Sequence, residues 1–418
     1  MPFIQNIEYN IRQPVNGAGG RPETGALTQR RISKAAASRP VFVGHEIYRR
    51  AAYGGNHPLA IPRVETAVDL CRDLGWIDPA AWVESPVAGA ATLGRFHDPA
   101  YIEALRRADE DGEIAPETRG RYNLGTLENP VFAGVFRRAS TSVGGSIAAA
   151  EQALAGRIAY HPAGGTHHGR PDRASGFCYF NDPVFAILTA LDAGIGRLVH
   201  ADLDAHHGDG VQDAFAGDPR VYTVSIHERE RWPHTGALDD TGGGQSCNLP
   251  VASGFTDADL DLLMADVVLP LVRRAAPELI VITCGADGLA GDPLSRMALT
   301  NRALWDAASA LAAEAPGAVI LGGGGYNPWT VARCWAGLWG VLNGFALPDR
   351  LPPAAVRRLE GLDCDLVDEE DRDPRWLTTL ADERQDITAR PGTAALARRA
   401  LTVPRRGRWS AGAQRAAA

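Results

Sequence analysis

LVHADLDAHHGDG, at residues 198–210, starts as an apolar, partly β-branched run and breaks into a polar loop bounded by glycines. Continued as a strand, its alternation puts Asp202, Asp204 and His206 on one face. Two carboxylates and an imidazole meeting at a strand end cost free energy unless a metal, a partner or water satisfies them. A further carboxylate, Asp287, immediately follows a second such run, LIVITCGADG at 279–288. Asp204, His206 and Asp287 make an O/N/O set for a divalent ion with a position left open, which is how a catalytic site is built. Acids that merely cap helices or pair with arginine would explain a lone DxD. They do not account for DxDxHHGDG beside a second HH pair, His167–His168, and a GGGGY loop.

Three other runs share the pattern of an apolar segment that ends in polar or glycine-rich residues. They are RIAYHPAGGTHHG at 157–169, VYTVSIHE at 221–228 and AVILGGGGYN at 318–327. Helical segments are expected between the runs, at 183–193, 257–275 and 301–314. Strands alternating with helices predict an α/β fold, a parallel β-sheet sandwiched between helices. In such sheets ligands bind beyond the carboxyl ends of the strands, where the unusual polar residues of this chain fall.

The chain has 418 residues, 42 basic against 50 acidic, and a net charge of −8. That balance argues against a nonspecific nucleic-acid partner. No apolar stretch is long enough for a membrane span, and the N-terminus lacks a secretory pattern. The six cysteines form no CxxC pair, which fits reduced thiols and a cytoplasmic location. Lys34 is the single lysine, which we read as genome base bias. Three zones are drawn: an N-terminal arm at 1–38, a catalytic domain at 39–347 and a C-terminal appendage at 348–418. The two terminal zones are candidates for covering a site or building a homo-oligomer.

The segments PAGGTHHGRPDRASGFCYFND (162–182), DLDAHHGDGVQDAF (202–215), GADGLAGDPL (285–294) and GGGGYN (322–327) closely resemble the zinc-dependent histone deacetylase family. That family includes bacterial acetoin-utilisation proteins and acetylpolyamine amidohydrolases. The resemblance runs from HPLAIPR (57–63) to LWGVL (338–342) and implies the arginase–deacetylase fold. It matches Asp204, His206 and Asp287 to the ligands of one Zn²⁺. It matches His168 to the general base and acid, His167 to its electrostatic support, and Asp202 and Asp209 to the carboxylates that orient His167 and His168. Tyr326 matches the oxyanion donor. The resemblance also implies a K⁺ behind the zinc, held mainly by carbonyls of Asp202, Asp204, His206, Ser225 and Ile226.

For the substrate, the resemblance implies a tunnel for an acyl-lysine stem. Phe177 and the adjoining Gly176 match one wall, and Trp232 stands where phenylalanine is commoner. Leu294 matches a position where polyamine-selective relatives can carry glutamate, and Glu128 matches a rim acid. The implied activity is deacylation of acyl-lysine in proteins or peptides. The alternative is an acetylpolyamine amidohydrolase acting on small acetylated amines. An arginase-like di-manganese hydrolase and a non-enzymatic reader of acylated ligands are less favoured by these motifs. Arg63 resembles an arginine of an acetate exit channel or is a surface arginine at a helix start. His45, His97, His161, His200 and His234 are read as surface or satisfied core groups.

Overall fold

The computed structural model describes residues 39–50, 53–54 and 57–409, all within one unit, Ser38–Ala418. The expected N-terminal arm, 1–38, lies outside the described residues, as do 410–418. Eight strands form one parallel sheet: β1 (Val41–Gly44), β2 (Trp82–Glu84), β3 (Ile158–His161), β4 (Leu198–Asp202), β5 (Val221–Glu228), β6 (Ser246–Val251), β7 (Leu279–Thr283) and β8 (Ala318–Leu321). Their order is β2-β1-β3-β8-β7-β4-β5-β6.

The five runs singled out in the sequence are β3, β4, β5, β7 and β8, adjacent members of this sheet. Their side chains are buried on both faces, as continuous apolar runs in a helix-covered parallel sheet require. Along β7, Leu279 and Val281 enter one core cluster and Ile280 and Ile282 the other. The sequence reading did not single out β1, β2 and β6. Pro250 in β6 is tolerated because β6 is an edge strand, and β2 at the other edge has only three residues.

The expected helix at 257–275 is interrupted. Asp257–Leu263 and Leu269–Ala275 are α-helical, and Met264–Val268 between them widens into a π-turn. Pro270 lacks the N–H that a regular ladder needs there. The helices Asp182–Asp192 and Asn301–Ala312 lie where the sequence predicts them. No described helix is long and apolar enough to cross a membrane.

The segment drawn as an appendage shares the main core. Leu351, Leu359, Trp376, Leu380, Ala400 and Trp409 are buried in the same cluster as Ile280, Ile282 and Trp335.

Candidate active site

Five neighbouring strands deliver the polar residues to one end of the sheet. β3 leads to His167 and His168, β4 to Asp202–His206, β7 to Asp287, β8 to Tyr326 and β5 to Trp232. β4 stops at Asp202, so Asp204 and His206 do not continue its alternation. They converge because the chain turns back on its own carboxylates. Asp204 N–H donates to Asp202 Oδ1 (3.1 Å), and His206 N–H donates to Asp204 Oδ1 (2.9 Å).

Asp204, His206 and Asp287 are buried, with one ligand atom from each lying within 4.8 Å of the others. His206 Nδ1 lies 2.9 Å from Asp287 Oδ2 and 3.2 Å from Asp204 Oδ1. Burial opposes charge on His206, yet the two carboxylates outweigh it and lift its imidazole to about 10. Burial and the Asp204 charge push the Asp287 carboxyl up to about 6. A buried oxygen and nitrogen cluster that demands a positive charge at its centre suits a divalent ion. Gly324 backs this cluster: a Cβ there would lie 2.1 Å from Asp287 Oδ2, while its N–H donates to Asp204 Oδ2 at 2.6 Å.

The tandem histidines have opposite electrostatics. His167 Nδ1 lies 2.7 Å from Asp202 Oδ2, and the Asp202 and Asp204 charges overcome burial to lift it to about 9. His168 Nδ1 lies 2.8 Å from Asp209 Oδ1, but burial and the neighbouring His167 charge push it down to about 4. One imidazole is thus held charged and the other neutral. Arg170 pairs with the second oxygen of Asp209 and with Asp213.

Tyr326 is 7% exposed, and burial with the Asp287 and Asp204 charges holds its hydroxyl far above the ordinary range, so it remains a donor. Its N–H donates to Asp292 Oδ2 (2.7 Å), whose Oδ1 accepts from Leu294 N–H (2.9 Å). Arg63 lies beneath this loop and donates to the carbonyls of Gly323 (2.9 Å) and Gly325 (3.3 Å). It stands half-buried at the start of the helix Val64–Asp73, as its helix-start reading has it.

A mouth of about 440 Å³ brings Glu128, Gly176, Phe177, Trp232 and Leu294 together with His168, His206 and Tyr326. The Trp232 ring stands edge-on to His168 with centroids 4.6 Å apart. Gly176 has φ +57, and a Cβ there would meet the Trp232 ring at 2.3 Å, so glycine is needed for conformation and space. Both Glu128 oxygens have partners within the chain: Gly176 N–H at 2.5 Å and Asn123 Nδ2 at 2.8 Å. Of the positions that the resemblance matches to potassium, Asp202 and Ser225 are in register where β4 and β5 pair, Ile226 follows on β5, and Asp204 and His206 lie past the end of β4. Ser225 Oγ lies 2.8 Å from His227 Nδ1.

Sequence reasoning left Asn181, Asp182 and Asp292 without roles, although the quoted motifs contain them. Asn181 donates to the carbonyls of His167 (3.1 Å) and Gly169 (3.0 Å) and caps the following helix. Asp182 accepts the N–H groups of Gly165 (3.0 Å) and Thr166 (2.8 Å). The Asn-Asp-Pro run is a helix-start signature that would have located this anchor.

A histone deacetylase domain profile matches residues 57–342. Histone deacetylase 8 of Xenopus tropicalis is 34% identical over 301 residues, covering 70% of this chain and 81% of that protein. The acetoin utilization protein AcuC of Bacillus subtilis (strain 168) is 35% identical over 329 residues, covering 75% and 84%. The crystal structure of an HDAC homolog from Aquifex aeolicus matches with a TM-score of 0.82 at 32% identity, covering 87% of this chain and 99% of that one. A structure of an HDAC homolog complexed with SAHA matches equally well, with a TM-score of 0.82 at 32% identity. These matches agree with the parallel sheet and the buried site, and the chain belongs to the histone deacetylase family, amide-hydrolysing enzymes of the arginase–deacetylase fold.

Proposed function

We propose that the enzyme deacylates acyl-lysine side chains of proteins or peptides. The observation that carries this choice is the mouth, whose matched gatekeeper Leu294 is apolar and whose matched rim acid Glu128 is occupied by Gly176 and Asn123. The other carboxylate lining the mouth, Glu230, is paired with Arg229 at 3.4 Å. A distal ammonium of an acetylated polyamine therefore finds no carboxylate at position 294, and the two mouth carboxylates already have partners within the chain, whereas an uncharged acyl-lysine stem needs only apolar walls. Phe177 and Trp232 supply those walls and exclude water from the reacting amide.

Asp204, His206 and Asp287 would hold zinc, which supplies Lewis-acid polarisation of the carbonyl and a lowered water pKa when bound. His168, kept neutral with Asp209 on its Nδ1, accepts a proton at Nε2 and passes one to the leaving amine nitrogen. His167, kept charged by Asp202, supports the negative charge that develops on the carbonyl oxygen. Tyr326 donates its hydroxyl to that oxygen. Asp202, Asp204, His206, Ser225 and Ile226 are the positions for a potassium ion behind this site.

Hydrolysis of an acetyl-lysine peptide beside N-acetylputrescine by the zinc-loaded enzyme tests the reading. Preferential peptide turnover is expected, and Tyr326→Phe should lower kcat by about 10²–10³-fold while zinc content is retained. Preference for acetylputrescine would establish the polyamine alternative instead. Near-normal kcat in Tyr326→Phe would remove the oxyanion role.

A further inference from the structure

The strip Arg229–Glu230 separates two openings. On one side is the mouth of about 440 Å³; on the other is a groove of about 840 Å³, and both residues line both openings. Arg229 N–H is fastened to Val251 O at 2.8 Å, at the end of edge strand β6. The groove's far wall is the helix Pro391–Thr402 with Val403 and Pro404, outside the family domain.

The charged groups at the mouth fall into two kinds. Glu128 is held by Gly176 and Asn123, and Arg231 by Glu228 (2.5 Å) and the Leu294 carbonyl (2.8 Å). Among the described residues the side chains of Arg229 and Glu230 pair only with each other, at 3.4 Å, and are 60% and 83% exposed. Across the groove, the exposed Arg399 and Asp239 have no side-chain partner among the described residues. The lining is thus two cations and two anions over an apolar floor that includes Leu238, Pro250, Leu396 and Val403. A polyanion would require an excess of cations. A neutral main chain, with donors and acceptors alternating and an occasional apolar side chain, matches the balanced set. Glu230 and His234, flanking Trp232, both hold φ +64, a conformation costly for non-glycine residues and concentrated at ligand-contacting segments.

We propose that this groove binds the polypeptide flank of the acylated substrate. Arg229 and Glu230 engage its main chain as it leaves the mouth, and Leu396 with Arg399 receives a neighbouring side chain. The inference rests on the acyl-lysine reading above and deepens it: the C-terminal segment makes the enzyme selective for acyl-lysine within a polypeptide.

The test compares kcat/KM for a ten-residue peptide with central acetyl-lysine against a capped single acetyl-lysine, in the wild type, Leu396→Asp and Arg399→Ala. The peptide is expected to be preferred by about tenfold through KM. Each variant should lower peptide kcat/KM about fivefold to tenfold and leave the capped substrate unchanged. Equal turnover of both substrates, or variants without effect on the peptide, overturns the groove while leaving the deacylase reading intact. Absence of turnover on either acyl-lysine substrate overturns the reading and the groove together. A dimer dissociated by Leu396→Asp with peptide kinetics unchanged would assign the groove to a second copy of the chain and also overturn the proposal.

Discussion

His97 shows what a single residue contributes and what its sequence position conceals. It is buried between the two ends of the tandem-histidine loop. Its Nδ1–H donates to Arg170 O (2.9 Å), while its Nε2 accepts Asn181 N–H (3.1 Å). Both contacts require the neutral ring, and burial pushes its pKa down to about 4. Between that value and the unfolded value near 6.5, the unfolded chain binds more protons than the folded one. This contribution to stability is therefore fully present above about pH 6.5 and falls as the pH drops toward 4, by roughly 2 kcal/mol between pH 7 and pH 5. Urea unfolding at both pH values should show a steeper loss in the wild type than in His97→Gln. Equal losses would mean that His97 is not held neutral. The sequence placed His97 among surface or satisfied core histidines, since a lone His carries no sign of its partners. The metal-site residues were legible because they stand together in motifs. The occupation of Glu128 was not, since Gly176 lies 48 positions away in the chain.

Apolar density made most strands legible but not all, since β1, VFVG, is as apolar as β8 yet was not singled out. β3, β4, β5, β7 and β8 are dense runs ending in glycine or charge, whereas WVE of β2 and SCNLPV of β6 carry no comparable pattern. What the pattern omits is how loops from different strands are tied. Glu228, at the buried end of β5, accepts from Arg231 Nε (2.5 Å) and Arg296 N–H (2.9 Å), and Arg231 donates to Leu294 O (2.8 Å). One carboxylate thus fixes the loop bearing Trp232 against the loop bearing Leu294. Arg231→Ala should loosen both walls. KM is expected to rise several-fold with a smaller change in kcat, and discrimination between acetyl and longer acyl chains should shrink. Arg231→Lys should recover part of the loss, because an ammonium can reach one partner but not both. An unchanged KM and acyl-chain profile in Arg231→Ala would refute the clamp.

At the scale of the whole molecule, the C-terminal segment is where composition misleads most. LPDRLPP and the acidic DCDLVDEEDRD suggest a solvated attachment, yet single apolar anchors between the charges enter the main core. Its ionic anchor is equally hidden. Arg333, on the helix Pro328–Leu342 that follows the Tyr326 loop, has a fully buried side chain. Its Nε donates to Thr379 O (2.6 Å), and its NH2 group reaches Asp382 Oδ1 (2.6 Å). Asp382 N–H in turn donates to Asn301 Oδ1 (2.9 Å), at the start of the helix following β7. Removing one partner from such a pair leaves a charge without compensation, which costs about 3 kcal/mol or more. Asp382→Ala should therefore lower stability by roughly that amount, whereas Arg333→Met combined with Asp382→Ala should recover part of it, since no buried charge remains. Denaturant unfolding of the four members of this cycle measures the coupling. Because the helix carrying Arg333 also positions the Tyr326 loop, kcat should fall with stability in Asp382→Ala and recover with it in the double variant. A loss of stability below about 1 kcal/mol in Asp382→Ala would mean that the C-terminal segment is held by its apolar anchors alone.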